Sequence, residues 1–111
     1  MNPNEIDAAM AQMFLQAHAQ FGNAVKGYWF YEDDPCPGCG RAIDAAKVKG
    51  QRGLSLNAFI YRERGILIGY FLCGRCAEKI FKAAERNPYK QTPLHATIEE
   101  NLVKAYRQHL H

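Results

Sequence analysis

No run of 18 apolar residues occurs in this chain of 111 residues, so no transmembrane helix is expected. The first residues include Glu5 and Asp7 within an interrupted apolar pattern, which does not read as a secretory signal peptide. A cytoplasmic location is the resulting expectation. No paired carboxylates, no cysteine–histidine pair and no glycine-rich phosphate loop suggest catalysis, so a non-enzymatic protein is expected. Basic residues are scarce at the start: residues 1–40 hold one lysine, Lys26, against five acids. Residues 41–90 reverse this, with eleven Lys and Arg against four acids, and residues 91–111 balance at two against two. The net charge of +3 therefore hides a basic middle behind an acidic N-terminal region.

Cysteine is also scarce, and its placement is informative. The only four occur as Cys36-Pro37-Gly38-Cys39 and Cys73-Gly74-Arg75-Cys76, two C-x-x-C pairs with 33 residues between them. Two cysteines at this spacing can wrap one edge of a metal tetrahedron, with backbone N–H groups turned toward the sulfurs. Pro37 sets φ for such a turn, and Gly38 and Gly40 permit close approach. Disulfides are less expected than metal where thiols stay reduced. A redox C-x-x-C normally stands alone, before the helix of a βαβ unit, a pattern missing here. The expectation is one structural Zn²⁺ on Cys36, Cys39, Cys73 and Cys76, with iron as the minor alternative because the C-P-x-C-G loop resembles that of rubredoxin. Pro35-Cys36-x-x-Cys39 matches half of the zinc-deaminase signature, but His18 is followed by Ala19-Gln20, so the H-x-E half is missing. Four thiolates also leave no open coordination position for a reacting water.

Around the cysteines the chain reads as an α+β protein. Ile6, Ala9, Met10, Met13, Phe14, Ala17 and Phe21 recur at helical spacing over residues 3–21. Asn2 and Glu5 have capping-box spacing, Pro3 suits the first helical position and Gly22 a C-cap. Tyr28-Trp29-Phe30-Tyr31 has strand propensity and splits its rings between two faces, so exposed rings there would serve a partner or stack on bases. Residues 41–53 read as a basic mobile loop with a helical turn near 43–48. Residues 54–61 alternate as a strand, Arg62-Glu63-Arg64-Gly65 is a turn, and residues 66–72 are apolar on both faces, as a central strand would be. Ala77, Ile80, Phe81 and Ala84 form one stripe of a helix after Cys76, with Lys79, Lys82 and Arg86 on another face and Asn87-Pro88 as the stop. A last helix starts at Thr92-Pro93 or at Thr97, where Thr97 and Glu100 match a capping box, and Ile98, Leu102, Ala105, Tyr106 and Leu110 form its apolar side. His95, His109 and His111 read as surface residues.

Knuckle, hairpin, then a cysteine pair opening a helix is an order that resembles the treble-clef zinc finger over residues 36–87. A zinc ribbon would instead follow each pair with strands. The resemblance implies Cys36 and Cys39 as knuckle ligands and Cys73 and Cys76 as helix-start ligands. It covers nucleic-acid binders, protein-interaction modules and a few nucleases. The nuclease type needs a hairpin histidine, and residues 54–72 have none. The expected organisation is a single domain over 1–111, with an N-terminal helical arm at 1–22, a zinc module at 28–87 and a C-terminal helix at 92–110. Two functions fit. One is nucleic-acid binding through Arg62, Arg64, Arg75, Lys79, Lys82 and Arg86. The other is protein interaction, or inhibition of a partner, through the helical arms and Tyr28, Trp29, Phe30 and Tyr31, the terminal helices also suiting a homodimer interface.

Overall fold

A computed structural model describes residues 3–32, 35–48, 51–88 and 91–110. The elements in order are α1 (Pro3–Phe21), a 3₁₀ turn (Gly22–Ala24), β1 (Gly27–Phe30), β2 (Ala46–Val48), β3 (Gln51–Gly53), β4 (Ser55–Tyr61), β5 (Ile66–Leu72), α2 (Gly74–Arg86) and α3 (Pro93–His109). The fold is α+β. Two compact units divide it, one comprising Met1–Tyr31 and Asn57–Tyr70, the other Glu32–Leu56 and Phe71–His111.

The first unit is α1 on a sheet. Strand order is β1-β5-β4, which puts β5 in the centre as its two-sided apolar character predicts. β1 runs parallel to β5 in the register Gly27↔Ile66 to Phe30↔Gly69. Parallel neighbours need a long crossover, and here it includes the first cysteine pair. Met10, Ala17, Val25 and Leu67 form the core, with Ile6, Met13, Phe14, Phe30, Ala58 and Ile60 packed against it. Gly69 leaves room for this packing: a Cβ there would overlap Met10 Sδ, so the Met10 side chain would have to move. The Arg62–Gly65 turn closes with Gly65 at φ +66° and its N–H donating to the Tyr61 carbonyl at 2.9 Å.

The second unit holds the cysteines. β2 and β3 pair antiparallel, Ala46↔Gly53 to Val48↔Gln51. This corrects the loop and helical turn expected over 41–53, whose glycine and basic content masked a short hairpin. Lys49 and Gly50 lie outside the described residues. α2 lies against β2. α3 buries Ile98, Leu102 and Tyr106. Its start is fixed at Thr92, not Thr97: Thr92 Oγ1 accepts the His95 N–H at 3.3 Å and the Thr92 N–H donates to His95 Nδ1 at 3.2 Å. Thr97 instead donates to the Pro93 carbonyl at 3.1 Å. His95, expected at the surface without a role, is therefore half of a capping box. The Asn2 cap expected for α1, and His111, lie outside the described residues. No described helix is long and apolar enough to cross a membrane.

Candidate metal centre

The first cysteine pair sits on a tight loop. The Cys36 N–H donates to the Arg41 carbonyl at 2.7 Å, the Gly40 N–H donates to the Cys36 carbonyl at 2.8 Å, and a bridge between Pro35 and Ala42 closes the base. Gly40 takes φ +79°, where a side chain would be strained. The Gly38 N–H approaches Cys36 Sγ at 3.4 Å. Such N–H···S contacts spread the charge of a metal-bound thiolate.

The second pair opens α2. Cys73 is the N-cap, and its Sγ accepts the Cys76 N–H at 3.5 Å. One sulfur thus both caps a helix and faces the metal position, and the positive end of the helix dipole favours it as a thiolate. Asp44 adds a second cap: its Oδ1 accepts the Gly74 N–H at 2.6 Å.

All four sulfurs lie within 4.8 Å of one another, with Cys39 and Cys73 at 3.5 Å. Four Zn–S bonds of about 2.3 Å in a tetrahedron place sulfurs about 3.8 Å apart, so the cluster is sized for one such ion. The cysteines are unbonded to each other; a disulfide would need about 2.05 Å. Cys36, Cys73 and Cys76 are buried, and Cys39 is at the surface. The donor set is four soft thiolates, which suits Zn²⁺ or iron and leaves no water position at a tetrahedral ion.

Electrostatics separate Cys39 from Cys73 and Cys76. Burial pushes the Cys76 thiol well above the usual range, and Cys39, Cys73 and Cys36 push it further. Burial likewise raises Cys73. Burial opposes ionisation of Cys39 as well, but a backbone hydrogen bond from Arg41 and the neighbouring thiols bring it below the ordinary value. Cys39 thus ionises more readily than Cys73 and Cys76, and a divalent cation at the cluster would favour the thiolate form of those two.

α3 completes the surroundings. A Cβ on Gly38 would lie 3.0 Å from Cys76 Sγ and 3.2 Å from Leu94 Cδ1, so a side chain there would crowd the cysteine cluster and this helix. Asn101 Nδ2 donates to the Pro37 carbonyl at 2.7 Å. Asp44, Leu94 and Asn101 carried no signal in the sequence, since each acts across 30 or more residues in chain order.

The other candidate residues are distributed over both units. Arg75, Lys79, Lys82 and Arg86 are exposed along α2, beside the cysteines. Arg62 and Arg64 are exposed on the β4–β5 turn, in the first unit. Tyr28, Trp29, Phe30 and Tyr31 are also in the first unit. Phe30 packs on its core, Tyr28 is 44% exposed with its ring 5.5 Å from that of Phe14, and Trp29 meets Tyr31 edge-on at 6.1 Å. Comparisons with protein-family models, with curated proteins and with solved structures find no match to this chain.

Proposed function

We propose that this chain is a structural-zinc module of treble-clef type that binds the phosphate backbone of nucleic acid through α2. The observation that carries the reading is a row of four cations. Arg75, Lys79, Lys82 and Arg86 recur at steps of four, three and four, which at 100° per residue keeps them within one narrow stripe of the helix. All four are exposed, and none makes an ion pair among the described residues, although Glu78 and Glu85 lie on the same helix. Glu78 stands four residues before Lys82, at the spacing of a helical ion pair, yet the two do not pair.

Zinc has a mechanical part in this reading. Cys73 and Cys76 tie the first turn of α2 to the knuckle, and Asp44 caps it. The helix then presents its cations at fixed spacing, so fewer degrees of freedom are lost on binding. The contacts are to phosphate, which makes binding salt-dependent and weakly sequence-specific. No chemistry is assigned to the metal.

Electrophoretic mobility shift and fluorescence anisotropy with duplex and single-stranded DNA and RNA test this. A shift is expected at low salt, with log K falling against log[salt] at a slope of about −3 to −4 for duplex, as four phosphate contacts imply. Lys79→Glu, Lys82→Glu and Arg86→Glu together should abolish it while the far-UV spectrum and zinc content stay unchanged. No shift with any of the four nucleic acids at low salt overturns the reading. Recovery of a stoichiometric protein partner without nucleic acid favours the interaction-module alternative.

A further inference from the structure

The end of α1 carries a second candidate site, within the first unit and remote in sequence from α2. Phe21, Ala24 and Val25 face Ile60 and Arg62 around a cavity of about 260 Å³. Four of its five lining residues are apolar. Val25 is buried and Phe21 is 47% exposed, so the cavity has an apolar floor and an aromatic wall that reaches solvent. The backbone around it is anchored: the Val25 N–H donates to the Gly22 carbonyl at 3.2 Å, and the Lys26 N–H donates to the Gly65 carbonyl at 2.7 Å.

Arg62 is the one charged group among the described lining residues. Its side chain has no hydrogen bond or ion pair among the described residues. The neighbouring Glu63 carboxylate is engaged elsewhere, its Oε2 accepting the Tyr61 hydroxyl at 3.1 Å. An unpaired guanidinium at an apolar cavity selects a ligand with an apolar body and one anionic end.

We propose that this cavity binds a small apolar monocarboxylic acid, with its hydrocarbon part against Phe21, Val25 and Ile60 and its carboxylate on Arg62. Size sets the class. An apolar cavity of about 150 Å³ holds benzene, so this one takes a single ring or branched chain with a short linker, below the roughly 300 Å³ at which drug-sized sites begin. Charge sets the head group: one guanidinium matches one carboxylate in bidentate geometry, whereas a phosphate dianion would keep an uncompensated charge against apolar walls.

The zinc-loaded protein titrated with phenylacetate and with its neutral isostere phenylacetamide, followed by ¹⁵N NMR, tests the assignment. Saturable shifts are expected at the amides of Ala24, Val25, Ile60 and Arg62, with the acid binding about tenfold more tightly than the amide. Arg62→Gln, at an exposed position, should remove that preference and leave amide binding unchanged. Absence of saturable shifts, shifts centred on other residues, equal affinity for acid and amide, or a preference that survives Arg62→Gln each overturn the proposal. Nucleic-acid binding by α2 is read in a separate experiment, so the two ideas fail independently.

Discussion

Gly38 shows how much of the metal centre rests on one missing side chain. Its Cα faces Cys76 Sγ and the Leu94 and Ile98 side chains at once, and a Cβ would sit 3.0 to 3.4 Å from all three. Gly38→Ala should therefore push the knuckle away from the second cysteine pair. Competition with a chromophoric chelator is expected to show zinc affinity lowered at least about tenfold, the scale of a disturbed shell around the ligands. The thiols predict a pH dependence of definite sign. Cys73 and Cys76 are raised, so protons compete most strongly there. Zinc binding must displace those protons, so affinity rises with pH toward the thiol range and falls as pH drops, by about tenfold per pH unit for each proton displaced. Potentiometric or chelator titration between pH 5 and 8 measures it. A flat profile would refute thiolate ligation. In the metal-free protein the sign is opposite: raised thiols favour the folded state while neutral, and that contribution is lost as pH climbs through their folded values.

Helices and strands take their positions from contacts that single residues concentrate. Asn101 ties α3 to the Pro37 carbonyl inside the knuckle. Asn101→Ala leaves that carbonyl without this donor and should cost about 1 kcal/mol of stability, read by urea unfolding of the zinc-loaded protein. Thr92 and His95 hold the first turn of the same helix, and their reciprocal bonds account for a start at Pro93 where the sequence also offered Thr97. In the first unit, Gly69 lets α1 approach the central strand. Gly69→Ala forces a Cβ into Met10 and should destabilise by about 1–3 kcal/mol, as overpacked cores do. The same denaturation curve checks it, and an unchanged midpoint would show that Met10 is free to repack.

At the scale of the whole chain, the two units are each built from separated segments, and the backbone passes between them three times, after Tyr31, Leu56 and Tyr70. The four clustered cysteines all belong to one of them. Zinc removal is accordingly expected to act unevenly. Chelation should abolish amide protection in the knuckle and at the start of α2 first, with α1, β1 and the turn at 62–65 retaining more, as hydrogen exchange resolved by residue would record. Uniform loss of protection along the chain would mean that the metal site and the α1 sheet unfold as one.

The sequence by itself determined what depends on neighbours a few residues apart. The C-x-x-C pairs, the α1 stripe from Ile6 to Phe21, the two-sided apolar run of β5 and the cation row from Arg75 to Arg86 are all such local patterns, because helix and strand periods and metal-ligand spacing repeat within a few positions. Tertiary structure alone decided the rest. The parallel pairing of β1 with β5, the separation of Tyr28–Tyr31 and Arg62–Arg64 from the unit that holds the cysteines, the β2–β3 hairpin hidden in a glycine-bearing basic stretch, the cap from Asp44, the packing of α3 on the knuckle and the cavity at Arg62 followed from it. Most of these join residues 30 or more positions apart, where loop closure carries no residue-type preference and only the mutual fit of surfaces selects the partner.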